Sequence, residues 1–246
     1  MVESVGLSGR EVVLEIGGGR GAVSGLLAER AARLVVVEID RALAAGLADH
    51  FAGDARVSVV AADVLDLDAR GALALAPGER AVVFGNVPYY ASSPILIWLA
   101  DNRDLFDRAY LCLQREVAER LVAHPGTKAY GTISVRLAYA AAARSLFSIA
   151  PDAFRPRPKV VSSFVEIAFH RAPPVAVRDE ALLYRVVRAA FAQRRKTLRN
   201  TLALLPEAPP ERHAGLAARV GIDFGRRGET LSLEEFARLA NAVGGA

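Results

Sequence analysis

An α/β fold with a parallel sheet, followed by a small all-helical domain, is predicted by three features of the sequence. Short runs rich in valine alternate with helical stretches through about residue 122, and a glycine-rich turn, Gly17-Gly18-Gly19-Arg20-Gly21, follows the first run. Pro173-Pro174 then separates these units from a segment whose apolar residues recur at helical spacing. The 246 residues, 52% hydrophobic and 24% charged, suffice for one large core and a small appendage. Domains are therefore expected at 1–171 and 172–246.

In chain order, Val12–Ile16 reads as a buried strand, with a helix starting at about Ala22 after the glycine turn. Leu34–Glu38, Val57–Val60 and Val82–Phe84 read as further strands, the last stopping at Gly85. Ser92-Ser93-Pro94 opens a helix with hydroxyl caps and a proline in the first turn. Ile133–Ala143 reads as an apolar helix, and Ser145–Ile149 with Val160–Phe169 as a closing hairpin with a long connection. Beyond the double proline, Leu182–Leu204 has a helical period, and Ser232–Ala242 begins with a Ser-x-x-Glu capping box.

Composition excludes several classes of function. No apolar run reaches membrane-spanning length and no basic-then-apolar leader precedes the first strand, so a cytoplasmic protein is expected. The single cysteine, Cys112, lies in the apolar run Ala109–Leu113 and reads as a buried small hydrophobe. His50, His124, His170 and His213 lack metal-ligand spacing, and no metal is expected. Residues 1–171 balance 19 basic against 19 acidic side chains, so the whole net charge of +4 lies in 172–246. There Arg185, Arg188, Arg194, Arg195, Lys196 and Arg199 follow one another with no acid between them, which points to a phosphate-rich partner.

Polar residues stand at the ends of four successive strands. Gly17, Gly19 and Gly21 have the spacing that turns a backbone beneath a nucleoside, a weak signal alone. Glu38 ends the next strand, where an acid accepts hydrogen bonds from ribose hydroxyls. Asp63 follows the third and can take an adenine amine, whereas Asp40, Asp66 and Asp68 read as caps and loop residues. After the fourth comes Asn86-Val87-Pro88-Tyr89. An exocyclic adenine amine is a poor nucleophile because its lone pair is delocalised into the ring. The Asn86 side-chain oxygen and the Pro88 carbonyl can accept its two protons and free the lone pair, while Tyr89 offers a stacking face. Taken alone, Asn-x-Pro-Tyr is more often an ordinary turn, and only its context overturns that reading.

In its E-I-G-x-G-x-G turn, V-E-I-D acid, A-D-V acid and N-V-P-Y, the sequence resembles class I S-adenosylmethionine-dependent methyltransferases. N-V-P-Y with Ser92-Ser93-Pro94 is similar to the ribosomal RNA adenine N6-dimethyltransferases. Leu113–Arg120, Phe154 with Pro156, Pro158-Lys159-Val160 and Ser162, Phe191–Asn200 and Leu231–Phe236 look like that family's bacterial KsgA (RsmA) branch. The resemblance implies a Rossmann-like, seven-stranded, mostly parallel sheet with a helical RNA-binding domain. It implies S-adenosylmethionine at Gly17, Gly19, Gly21, Glu38, Asp63, Val64 and Asn86, and a target base held by Asn86, Pro88 and Tyr89. The implied reaction is dimethylation of two adjacent adenosines in the 3′-terminal hairpin of small-subunit (16S) rRNA. The partner would be the 30S pre-ribosomal subunit and the enzyme a monomer.

Arg155, Arg157 and Lys159 are expected to meet RNA phosphates near the site, or else to belong to a proline-braced connection. Arg194, Arg195, Lys196 and Arg199 either bind RNA or pin the helical domain to the catalytic one through carboxylates. The family also carries a Gln-Asn-Phe-Leu motif before the first strand. Met1 to Glu11 hold nothing like it, so weak binding of S-adenosylmethionine is expected. Two other readings stand beside the leading one. One is a non-catalytic RNA-binding ribosome-assembly factor, and the other is a large-subunit rRNA adenine dimethyltransferase of the macrolide-resistance type.

Overall fold

The computed structural model describes residues 1–154, 157 and 159–245. Its strands are β1 (Val12–Ile16), β2 (Arg33–Glu38), β3 (Val57–Ala61), β4 (Ala81–Asn86), β5 (Phe106–Gln114), β6 (Ala141–Ile149) and β7 (Ser162–Phe169). They form one seven-stranded sheet in the order β3-β2-β1-β4-β5-β7-β6. The pairs β3-β2, β2-β1, β1-β4 and β4-β5 are parallel, whereas β7 runs antiparallel to both β5 and β6. Every residue of β1 is buried and so are the first five of β4, which is why both read as apolar runs, interrupted in β1 by Glu15 alone.

The helices of the sheet region are α1 (Val2–Val5), α2 (Ser24–Ala28), α3 (Arg41–His50), α4 (Ala69–Leu73) and α5 (Ser92–Asp101). Asp40 caps α3 by accepting from the Ala42 and Leu43 amides, and Asp68 caps α4 through Gly71, the roles expected of them. Two helix starts differ from expectation. α2 begins at Ser24 rather than Ala22, because residues 19–23 continue the turn. α5 has no side-chain cap: Ser92 is itself helical, and its hydroxyl donates back to the Pro88 carbonyl at 3.4 Å.

Next come α6 (Arg115–Leu121) and α7 (Thr132–Ala140), then α8 (Glu180–Phe191), α9 (Leu198–Leu202), α10 (His213–Val220) and α11 (Leu233–Gly244). The helix expected over Ile133–Ala143 ends at Ala140. Ala141, Ala142 and Ala143 instead pair with Phe169, Ala168 and Ile167, so cross-strand pairing overrides alanine's helix preference. The helix expected over Leu182–Leu204 is broken between α8 and α9, where residues 193–197 supply no apolar face. The Leu198 and Arg199 amides bond instead to the Arg226 and Phe224 carbonyls. Ser232 and Glu235 form the expected capping box of α11.

Contacts divide the chain into two units, Met1–Ala118 with Ala140–Arg171, and Glu119–Tyr139 with Ala172–Ala246. Residues 119–139, assigned to the first domain from sequence, thus join the helical unit. Tyr130, Val135 and Tyr139 share its core with Leu183, Val186 and Phe236, and the Tyr130 hydroxyl donates to the Leu231 carbonyl at 2.9 Å. Burying those three rings and branches outweighs their nearness in sequence to the sheet.

Candidate active site at the carboxyl ends of four strands

Strand order reverses at β1, which has β2 on one side and β4 on the other. In open α/β sheets the crevice at such a reversal, beyond the carboxyl ends of the strands, is where ligands bind. Gly17 follows β1 there, Glu38 ends β2, Asp63 follows β3 by two residues and Asn86 ends β4. The sheet thus sets them side by side as Asp63, Glu38, Gly17 and Asn86.

The glycine turn is shaped by backbone chemistry. Gly17, Gly19 and Gly21 have φ of 78°, 55° and 80°, in the left-handed region that costs other residues about 1–2 kcal/mol. A Cβ on Gly17 would lie 3.9 Å from the Asn86 carbonyl oxygen, so the turn and the tip of β4 are neighbours. Gly18 has ordinary φ but no room: a Cβ there would fall 2.4 Å from Val36 Cγ1 and 2.9 Å from Leu47 Cδ1. Sequence reasoning passed over Gly18, though its lone position between the spaced glycines was a signal that the turn packs on something.

Glu38 is 6% exposed and its two oxygens are used separately. One accepts the Gly19 amide at 2.8 Å and the other the Asp40 amide at 2.9 Å. The acid therefore braces the glycine turn, and each oxygen keeps a lone pair for a hydroxyl. Asp63 uses one oxygen to cap the turn at Val64–Asp66 through the Leu65 amide at 2.9 Å, the other has no hydrogen-bond partner among the described residues, and the adjacent Val64 is buried. Ile39 and Leu65, 61% and 38% exposed, are apolar residues flanking these two acids. Sequence reasoning missed both, although an isoleucine just past a strand's terminal acid departs from the polar residues usual in loops.

Glu15 lies within β1 and is only 2% exposed. Burial pushes its carboxyl up to about 7, against the lowering effect of the Ser24 hydroxyl and with added repulsion from Glu38. The sequence showed it only as the first residue of the E-I-G-x-G-x-G turn, with no role assigned to it.

At the tip of β4, Asn86 is exposed, Val87 is buried, Pro88 is exposed and Tyr89 is half-buried. The Tyr89 hydroxyl lies 2.9 Å from Ser162 Oγ. The Pro88 carbonyl already accepts the Ala91 amide at 2.9 Å and, more weakly, the Ser92 hydroxyl at 3.4 Å. Its use as an acceptor for a base therefore requires the long Ser92 bond to give way. Tyr90 is 84% exposed.

The basic residues are distributed differently. Arg157 and Lys159 are exposed, and Arg155 lies outside the described residues. Arg194 donates to the Lys128 carbonyl at 2.7 Å and sits 3.6 Å from Glu229, partners within its own unit. Arg195, Lys196 and Arg199 are exposed, on or beside the turn between α8 and α9. A separate cavity of about 480 Å³, lined by Arg70, Arg80, His170 and Arg171 among others, adjoins the amino ends of β4 and β5, remote from the crevice.

The family model for ribosomal RNA adenine dimethylase matches residues 1–243. The ribosomal RNA small subunit methyltransferase A of Geobacter metallireducens is 45% identical over 233 residues, covering 94% of this chain and 84% of the relative. Its counterpart from Geobacillus thermodenitrificans is 40% identical over 248 residues, covering 99% and 85%. In fold the chain is similar to a dimethyladenosine transferase from Plasmodium falciparum (TM-score 0.79, 21% identity, 97% and 91% of the two chains). It is also similar to the 23S rRNA methyltransferase ErmE (TM-score 0.68, 23% identity, 99% and 95%). With a Rossmann-like methyltransferase sheet, a helical unit and a match along nearly its whole length, the chain belongs to the ribosomal RNA adenine dimethylase family.

Proposed function

We propose that this chain transfers methyl groups from S-adenosylmethionine to N6 of two adjacent adenosines in the 3′-terminal hairpin of small-subunit (16S) rRNA. It would act as a monomer in the cytoplasm on the 30S pre-ribosomal subunit. The observation that carries the reading is that Asp63, Glu38, Gly17 and Asn86 stand at or just past the carboxyl ends of four adjacent strands. Three strand spacings span about 14 Å, room for an adenine, a ribose and an amino-acid tail in a row, with the target base beyond.

The residues fit such a cofactor. Asp63 offers its other oxygen to the adenine amine, with Val64 next to it in the chain and Ile39 and Leu65 as apolar flanks. Glu38 offers one lone pair on each oxygen to the ribose hydroxyls. The side-chain-free turn at Gly17, Gly19 and Gly21 admits the tail. When bound, S-adenosylmethionine supplies an electrophilic methyl group on a sulfonium.

The chain's own work is orientation. The exposed Asn86 carboxamide oxygen accepts one proton of the target amine and the Pro88 carbonyl the other, which releases the nitrogen lone pair from the ring. Tyr89 fixes the plane of the base by stacking. Arg157, Lys159, Arg195, Lys196 and Arg199 meet RNA phosphates, and Arg155 is assigned with them from sequence. Arg194 carries less of this load because Glu229 already faces it.

Small subunits lacking the modification, incubated with labelled cofactor, should acquire label in small-subunit RNA. Asn86→Ala should lose at least about a hundredfold in rate, as when one oriented polar group is removed from an electrostatic site, while melting as the wild type does. Label confined to large-subunit RNA, or an undiminished Asn86→Ala rate, would reject the assignment.

A further inference from the structure

We propose that Ser162 is a positioning residue for the target base, its hydroxyl locking the Tyr89 ring at the tip of β4. The inference rests on the reading of Tyr89 as the stacking face.

Tyr89 sits in the short 3-10 turn Tyr89–Ala91, outside the sheet's ladder, and its ring is half-buried. A ring so placed can swing about χ1 and χ2 unless something holds its far end. The structure supplies one such hold, the 2.9 Å contact between the Tyr89 hydroxyl and Ser162 Oγ, across 73 residues of sequence.

Ser162 is well suited to hold it. It is fully buried at the start of β7, and its backbone is paired with Gln114 of β5 on one side and Ile149 of β6 on the other. Its hydroxyl therefore projects from a part of the sheet fixed on both flanks. The neighbouring Cys112 thiol also interacts with that hydroxyl, and Cys112 is the residue paired with Asn86 between β4 and β5. The two groups that would grip the base, Asn86 and Tyr89, are thus both referred to the same spot in the sheet.

Solvation alone does not require the contact. A half-buried phenol reaches water, and a phenylalanine would give the same stacking area. What the hydroxyl adds is a direction for the ring, and misorientation of a bound reactant lowers the rate of reaction more than its binding.

The test places 3-fluorotyrosine at position 89 of the full chain and reads its 19F line, without cofactor or RNA. A line as broad as overall tumbling of the chain dictates is expected in the wild type. A narrower, motionally averaged line is expected in Ser162→Ala, and likewise for 3-fluorophenylalanine at 89, which leaves Ser162 untouched should the serine variant not fold. In methyl transfer to small subunits, Ser162→Ala, Tyr89→Phe and the double variant should each lose about fivefold in kcat, the worth of one net hydrogen bond, with KM for RNA unchanged. Lines unaffected by either change, or losses in kcat that multiply in the double variant, would overturn the proposal. A wild-type chain that transfers no methyl group would instead overturn the proposed function, and the fluorine line would still decide the role of Ser162.

Discussion

Gly18→Ala and Gly46→Ala make the same chemical change 28 residues apart with opposite expected signs. At Gly18 the new methyl carbon falls 2.4 Å from Val36 Cγ1 and 2.9 Å from Leu47 Cδ1, where ordinary contact is 3.4–4 Å. Val36 is fully buried and its backbone is paired with Glu15 on one side and Val59 on the other, so it cannot retreat as a unit. As a β-branched residue it also has little rotamer freedom. Relief must come from lifting the glycine turn off β2 by about 1 Å, an overpacking penalty of about 1–3 kcal/mol. For a chain of this size that lowers Tm by roughly 3–9 °C.

The displaced turn also carries the Gly19 amide away from Glu38, so affinity for S-adenosylmethionine should fall with stability. Gly46 is exposed in α3, has no positive φ, and a Cβ there meets nothing within 4 Å. Alanine should stabilise that helix by about 0.5–1 kcal/mol and raise Tm by roughly 2–3 °C. Thermal unfolding followed by circular dichroism, with a calorimetric titration of cofactor, measures both. A Gly18→Ala chain that melts at or above the wild type and binds cofactor equally would refute the packing argument.

Three further outcomes are expected. The Glu15 carboxyl titrates at about 7 when folded against an ordinary 4.5, so between those values the folded chain keeps a proton that the unfolded chain has lost. Its contribution to stability is therefore greatest below pH 4.5 and declines as pH rises through 7, by about 3 kcal/mol in all. Urea unfolding at pH 5 and pH 8 should show that decline in the wild type and lose most of it in Glu15→Gln; equal slopes would contradict the assignment. The Lys196→Ala, Arg199→Ala pair should weaken binding to RNA and reduce the slope of log affinity against log salt by about 2, one for each lost phosphate contact. An unchanged slope in filter binding would remove that surface from the RNA interface. Cys112 is buried and its thiol is pushed up to about 11 by that burial, so iodoacetamide at pH 8 should label it only after unfolding.

The sequence by itself determined the parallel strands and the order of the groups that end them. Val12–Ile16 and Val82–Phe84 are buried on both faces, and such strands leave an unmistakable apolar run. The chemistry of Gly17, Glu38, Asp63 and Asn86 was legible because each stands within a few residues of the end of a strand run. Where a local signal and a distant partner disagree, only the tertiary structure decided. The alanines 141–143 favour a helix until β7 pairs with them. Residues 119–139 follow the sheet in sequence but bury Tyr130 and Tyr139 among helices from the far end of the chain.

The site shows the same division. That Glu38 braces the Gly19 amide, that Gly18 has no space for a methyl group, and that the Pro88 carbonyl is already engaged are all consequences of three-dimensional proximity. The contact of Tyr89 with Ser162 is the extreme case. Periodicity and propensity act over a few residues, whereas a hydrogen bond across 73 residues exists only once the sheet has brought its ends together.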